Sequence, residues 1–515
     1  MKKKIGLVFV SLLVAASSFA QNEDAIKFAE TITTDDLNEY LSILASDALE
    51  GRETGKRGQK MAAAFIRSHF EELGLAPVVP SKEGKTYFQK VPLYSSIPGE
   101  TYLSDKNGAQ LKNLEDVIFF GSSYTGETKN LDLVFAGAGT EDDFDGLDVK
   151  DKAVVVMIDN FRAWRAPQQV AEEKGAKLLI VSFTGKMDEF NGLLDQVRGS
   201  FTGGRLSLSK PETNNNGGGG VFFTHHNAIA QLFATTTEKL EKALADQSAG
   251  KKGALKKVKP TSISYKTSRT VKTVKSENVL GYLEGSDKKD ELVVITSHYD
   301  HIGKSGDQIN NGADDDGSGT SSVMDIAEAF VLAKQAGKGP RRSILFMTVT
   351  GEEKGLLGSA FYAENPIFPL ENTVVNLNID MIGRIDPGHK ENPNYVYLVG
   401  SDRLSSELHE ISEKVNETFT QFDLDYTYND ENHPDRIYYR SDHWNFAKNN
   451  VPVIFYFNGV HEDYHRPTDT VDKIEFEILA KRAQLVFHTA WVLANRDERI
   501  VVDKTQGTEL NGGKN

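Results

Sequence analysis

SHYDHIGKSGDQINNGADDDGSG, residues 297–319, decides how this chain is read. It follows an apolar run, LVVITS from Leu292 to Ser297, and leads into an amphipathic helical pattern that begins at Ser318. A short unbroken apolar run suits a strand buried on both faces. The order is therefore buried strand, loop, helix. The loop is dense in His and Asp, and neutral imidazole and carboxylate oxygens are ligands that a borderline metal such as zinc accepts. In an α/β fold, the loops leaving the carboxyl ends of the strands carry the chemistry.

Outward from this stretch, strand and helix patterns alternate. ENVLGYLEG and LVVITS read as strands, residues 318–334 as a helix, RSILFMTVT as a strand and EKGLLGSAFYAEN as a helix. VVNLNIDMIG, YVYLVG and PVIFYFNG read as further strands, and Ile474 to Asn495 as a long final helix. Such alternation implies an α/β fold, a mainly parallel sheet sandwiched by helices. Four acidic or His-bearing places fall at or just past strand ends. They are His298 with Asp315, Glu352 with Glu353 after RSILFMTVTG, Asp380 after VVNLNI, and His465 in EDYHRPTDT. A pair of metal ions needs a bridging carboxylate, His and carboxylate ligands on each side, and one carboxylate left free to carry protons. This inventory meets that need. Taken singly, an Asp at a strand end, as in GADDDGSG, is more often a helix cap.

Upstream, DDLNEYLSILAS and GQKMAAAFIRSHFEELGL have helical spacing, with LEGRETG as a turn between them and a stop at Gly74 before Pro77 and Pro80. Strands are expected near residues 87–93 and 116–120. From about Asn130 come LDLVFAGAG, the acidic turn TEDDFDGLDVKD, KAVVVMID, and PQQVAEEKGAKLLIVSF as helix, Gly175 turn and strand. The acidic turn lacks the spacing of a calcium loop and reads as solvated. NNNGGGG (Asn214 to Gly220) lacks the lysine of a phosphate-binding loop. His225 and His226 open a helix and suit a surface or capping role. Residues 251–275 hold nine Lys or Arg and no acid, read as a solvated strand and linker.

At 515 residues the chain exceeds one typical core, so two domains or one elaborated domain are expected. The formal charge is −15, or −18 without Lys2, Lys3 and Lys4, which argues against nucleic acid or anionic lipid as the main partner. Residues 1–20 have a lysine-rich start, an apolar stretch and a small-residue end, the pattern of a signal peptide cut after Ala20. The apolar run is too short to span a bilayer. With no Cys in the chain, disulfides, thiolate chemistry and a Cys-linked lipid anchor are excluded. The expected product is an exported, periplasmic or secreted protein with no membrane anchor.

SHYDHIG, NGADDDGSGT, TGEEKGLLGS, NLNIDMIGR, RSDHWNF and DYHRPTDT resemble the co-catalytic (dinuclear) zinc aminopeptidase family, which includes glutamate carboxypeptidase II and the non-enzymatic transferrin receptor. The resemblance covers residues 278–495, and LEGRETG with its helices is similar to the family's lead-in. LVFAGAG, FDGLDVKDKAVVV and EEKGAKLLIV resemble a protease-associated domain. The resemblance implies domains at 1–20 (signal peptide), 21–120 (lead-in), 121–266 (protease-associated-like insertion), 267–500 (catalytic) and 501–515 (tail). It implies two Zn(2+) per chain. Asp315 bridges them, His298 and Asp380 complete one shell, and Glu353 and His465 complete the other. It makes Glu352 the general base acting on a bridging hydroxide and Tyr464 the stabiliser of the oxyanion. It further implies Asp300 or Asp469 behind the ligating imidazoles, a cis peptide at Asp315–Asp316, and a pocket shaped by Ser441 to His443. His301, Asp314, Asp316 and His443 rank below these as ligands. The implied activity is removal of N-terminal residues from peptide or protein substrates. The alternatives are a carboxypeptidase or dipeptidase of the same family, glutaminyl cyclisation with one zinc, and a binding protein with a dead site. No ligand is missing, which weighs against the last.

Overall fold

A computed structural model describes residues 23–121, 124–211, 220–430 and 432–505. The expected signal peptide, residues 214–219 of the glycine loop and the last ten residues of the expected tail lie outside them. The chain divides into two compact units. One comprises the residues up to Pro92 with those from Val274 onward, and the other is Leu93–Thr273.

In the first unit the sheet strands are β1 (Phe88–Pro98), β2 (Arg269–Leu283), β3 (Lys288–His298), β4 (Arg342–Val349), β5 (Thr373–Ile379), β6 (Tyr395–Val399), β7 (Asp423–Asp425) and β8 (Val453–Phe457). Their spatial order is β1-β2-β4-β3-β5-β8-β6-β7. The four central strands β4, β3, β5 and β8 are mutually parallel, whereas β2 and β6 pair antiparallel with β4 and β8. Residues of β3 alternate between two cores, as the two-residue period of a strand demands. Val293 and Ile295 join one, and Leu292 and Val294 join the other. Helices α1 (Thr34–Leu44), α2 (Arg57–Glu72), α3 (Gly319–Gln335) and α6 (Phe476–Asn495) cover the first face. Tyr362 of α4 (Leu357–Glu364) and Phe446 lie in the core on the second. Helix α5 (Ser406–Val415) adds Leu408 and Val415 to the first core. Both faces are thus buried, which is why the central strands read as apolar runs.

Asp325 of α3 is 1% exposed. Its Oδ2 accepts the Thr33 N–H at 3.3 Å, and its Oδ1 has no partner. Burial, helped by Asp36 and Glu328, pushes its carboxyl up to about 8. The folded state therefore holds this proton more tightly than the unfolded chain, whose Asp titrates near 4. The sign follows: stability falls as pH rises from about 4 to about 8. Asp325→Asn is expected to raise the unfolding free energy by about 5 kcal/mol at pH 8 and by almost nothing at pH 4. Urea midpoints at both pH values check this; a gain independent of pH would contradict it.

The second unit has its own sheet. Its strands run in the order 110–112, 102–104, 261–266, 129–135, 153–157, 178–182, 220–224, 118–121. Strands 129–135 through 220–224 are parallel and separate two apolar clusters. Residues 102–120, read from sequence with the lead-in, supply strands to this unit. The acidic turn is the start of a short helix, Glu141–Phe144, closed by a capping box between Thr140 and Asp143. His225 accepts the Ala228 N–H and caps the helix His226–Leu232. In the basic stretch, Lys251 pairs with Asp246 at 2.6 Å and Lys266 pairs with Glu100. Among the described residues, no helix is long and apolar enough to cross a membrane.

Candidate metal centre

The carboxyl ends of the four parallel strands lie side by side, and each delivers part of one cluster. His298 is the last residue of β3. Glu352 and Glu353 come three and four residues after β4, Asp380 follows β5 directly, and His465 lies on the loop after β8. Asp315 comes from the loop between β3 and α3. Its Oδ1 lies 3.2 Å from His298 Nε2, and its Oδ2 lies 3.1 Å from His465 Nε2. Its two oxygens thus face two sets. His298 Nε2 is also 3.5 Å from Asp380 Oδ1, and His465 Nε2 is 3.1 Å from Glu353 Oε2. Glu352 stands beside them, with Oε2 at 3.9 Å from His298 Nε2. His298, Asp315 and Asp380 are buried and the Glu353 side chain is 4% exposed, whereas the His465 side chain is 37% exposed.

The neighbouring acids are distinguished by their partners. Asp316 accepts the backbone N–H of His298, Gly319 and Met381. Asp314 accepts the Gly383 N–H and the Ser318 hydroxyl and faces His461 Nε2 at 3.1 Å. Within the triplet, Asp315 Oδ2 is the buried oxygen without a hydrogen-bond partner. Asp316, His298 and Asp380 also place ligand atoms close together, but the backbone donors occupy both Asp316 oxygens. His443 is buried and stacked on Phe455 at 4.7 Å, and burial holds it neutral, down to about 3.

The supporting groups differ from expectation at Asp300 and Asp469, whose carboxylates accept from other donors and not from the ligating imidazoles. His298 Nδ1 faces the backbone oxygen of Asp300 at 3.0 Å, not its carboxylate. That carboxylate instead accepts the Thr54 hydroxyl and the Glu352 N–H. The Asp300 side chain is turned toward Thr54 and Glu352, which leaves its own carbonyl for the imidazole. Asp469 accepts the N–H groups of Asp314 and Asp315 and so fixes the Asp315 loop. Ser441 donates to Asp380 Oδ2 at 2.6 Å. The Asp315–Asp316 peptide is cis.

Sequence reading missed Arg52, within the quoted LEGRETG. Its guanidinium is buried and donates to the carbonyls of Leu44, Tyr299, Asn311 and Gly312. The available signal was an Arg in a Gly-flanked turn, which by itself does not separate a clamp from a solvated charge.

Clustered carboxylates need positive charge nearby. In this structure the imidazoles supply it. Burial works against His465 charging, but contact with Asp315 and Glu353 lifts it to about 10. Asp315 is held well below the usual carboxylate range against its burial, by His301, His298 and His465. Burial drives Glu352 the other way, well above that range; His298 opposes this, while Glu353, Asp380 and Asp442 add to it. The residues fit divalent ions on a structural criterion. Asp315 Oδ2 and Glu353 Oε1 are buried and without hydrogen-bond partners, yet they turn toward the same imidazoles.

A buried His and carboxylate cluster at the strand ends of a mainly parallel α/β sheet defines a candidate metallohydrolase. Residues 278–490 match the profile of peptidase family M28. A probable leucine aminopeptidase of Arthroderma otae is 31% identical over 217 residues, covering 40% of this chain and 55% of that one. Aminopeptidase YwaD of Bacillus subtilis is 26% identical over 239 residues, covering 45% and 48%. The chain spans about half the length of these curated relatives. A solved aminopeptidase from Aneurinibacillus sp. strain AM-1 shares the fold, with TM-score 0.51 and 18% identity over 94% of this chain and 98% of that one.

Proposed function

We propose that this chain is an exported dinuclear zinc aminopeptidase that hydrolyses the N-terminal peptide bond of peptides. The observation that carries the reading is the convergence of five far-separated side chains, His298, Asp315, Glu353, Asp380 and His465, with Glu352 adjacent. Asp315 is read as the bridge, His298 and Asp380 as holding one ion, and Glu353 and His465 as holding the other. When bound, zinc lowers the pKa of water toward ~7 and polarises a carbonyl. Glu352 takes the proton from the attacking water on its carboxylate and returns it to the nitrogen of the leaving amine. Tyr464 lines the cleft and stacks on His465 with ring centroids 3.9 Å apart; its phenol is assigned to donate to the oxyanion. Met381, Ile437, Phe455, Phe457 and Val460 make an apolar wall, which suits an uncharged N-terminal side chain. The second unit is read as a protease-associated-like domain, and residues 1–20 as the export signal.

A second reading, a carboxypeptidase or dipeptidase, draws on Arg440. It lines the same cleft and is exposed, so a substrate carboxylate has a cation to meet. One assay separates the two. Leucyl-p-nitroanilide should be cleaved and an N-acetylated peptide left intact. Release of the C-terminal residue from the blocked peptide would reverse the assignment.

A further inference from the structure

The dinuclear reading gives the second ion three protein groups: Asp315, Glu353 and His465. His301 stands beside them and has no role in it. The His301 ring is fully buried, and neither nitrogen has a hydrogen-bond partner. Its Nδ1 lies 2.7 Å from Glu353 Oε1 and 3.8 Å from Asp315 Oδ2. The Glu353 oxygen is close enough for a hydrogen bond but is not aligned for one, since both atoms remain unpartnered. An oxygen off the axis of the nitrogen lone pair is where a second ligand of a shared ion belongs.

The distances have the right scale. With metal–ligand bonds of about 2.0–2.1 Å, two ligands of a tetrahedral ion stand about 3.4 Å apart. Around this point the pairs are 2.7 and 3.8 Å for His301, and 3.1 Å for His465 with each carboxylate. The first site, at 3.2 and 3.5 Å, falls in the same range. The His301 and His465 rings lie 5.8 Å apart at 67°, a separation that two imidazoles on one ion can adopt. His301, Asp315 and Glu353 already place ligand atoms together without His465. The backbone is shaped to let the ring in. Gly312 has φ +59°, and a Cβ there would fall 2.6 Å from the His301 ring and 2.3 Å from Asp315 O.

We infer that His301 Nδ1 is a further ligand of the second ion. That site then has two imidazoles and two carboxylates, against one imidazole and two carboxylates at the first. The ion count rests on the dinuclear reading; the role of His301 is added to it.

X-ray absorption on the zinc-loaded wild-type chain tests this together with metal analysis. Two zinc ions with an average of about 1.5 imidazoles each is the expected result. Two ions with 1.0 imidazole each would leave the dinuclear reading standing and overturn the role of His301. Fewer than two ions would overturn both. A variant adds an independent measurement. In His301→Asn the side-chain amide is able to donate a hydrogen bond to Glu353 but offers no imidazole nitrogen. Zinc titration should show the second ion bound more than ~100-fold more weakly, with the first within ~3-fold. That exceeds the ~10–100-fold typical of losing an outer hydrogen-bond partner. Second-ion affinity within ~100-fold of wild type, the range of an outer hydrogen-bond partner, would contradict ligation. Equal loss of both ions would show that the residue supports the loop and not the ion, and would contradict it too.

Discussion

Replacing Glu352 with Gln is expected to lower kcat for peptide hydrolysis by roughly 10²–10⁴-fold while leaving zinc content unchanged. The amide fills the same space but cannot accept the proton of the attacking water. Nothing else in the position changes, because the Glu352 backbone N–H is tied to Asp300 Oδ1 at 3.2 Å and does not depend on the side chain. The proposed ligands do not include Glu352, so the loss should appear in kcat at full zinc occupancy. A variant within a few-fold of the wild-type rate would show that another group moves the proton. Loss of zinc in step with activity would instead make Glu352 a ligand.

The largest effect on the scaffold is expected at Arg52. Its guanidinium donates to four backbone carbonyls, three of them at Tyr299, Asn311 and Gly312, in the loop that follows His298 and carries His301 and Asp315. Burial disfavours its charge, and Asp315, Asp469, Asp316 and Asp300 favour it. Arg52→Ala strands those carbonyls without donors and removes a buried cation from an acidic cluster. Breaking such an arrangement costs about 3–5 kcal/mol. Arg52→Lys should recover little, because a single ammonium cannot reproduce the planar fork. Urea midpoints measure the stability, and zinc titration measures the coupled loss of binding. An Arg52→Ala chain with wild-type midpoint and zinc affinity would contradict the clamp.

The architecture of the first unit was legible because its central strands are buried on both faces. LVVITS, RSILFMTVT and PVIFYFNG advertise this as apolar runs with site residues at their ends. The long helix ending at Asn495 was legible for the same reason. The limits of the second unit were less so. Residues 102–120 form short strands whose partners are as distant as residues 261–266 and 220–224, and pairing over such separations leaves no local pattern. At the site, residue types and strand-end positions brought His298, Asp315, Glu352, Glu353, Asp380 and His465 into one list, and the structure brings them into one place. The supporting contacts were not legible. Whether His298 meets the carboxylate or the carbonyl of Asp300 depends on a turn of two residues. The clamp at Arg52 depends on carbonyls some 250 positions away, which composition and spacing do not register.

Five side chains from neighbouring strand ends and the loops after them are proposed to hold a pair of zinc ions. The zinc-to-chain ratio of the purified protein after dialysis against metal-free buffer measures this. Two per chain is the expected value. A fully active chain carrying one zinc or none would contradict it.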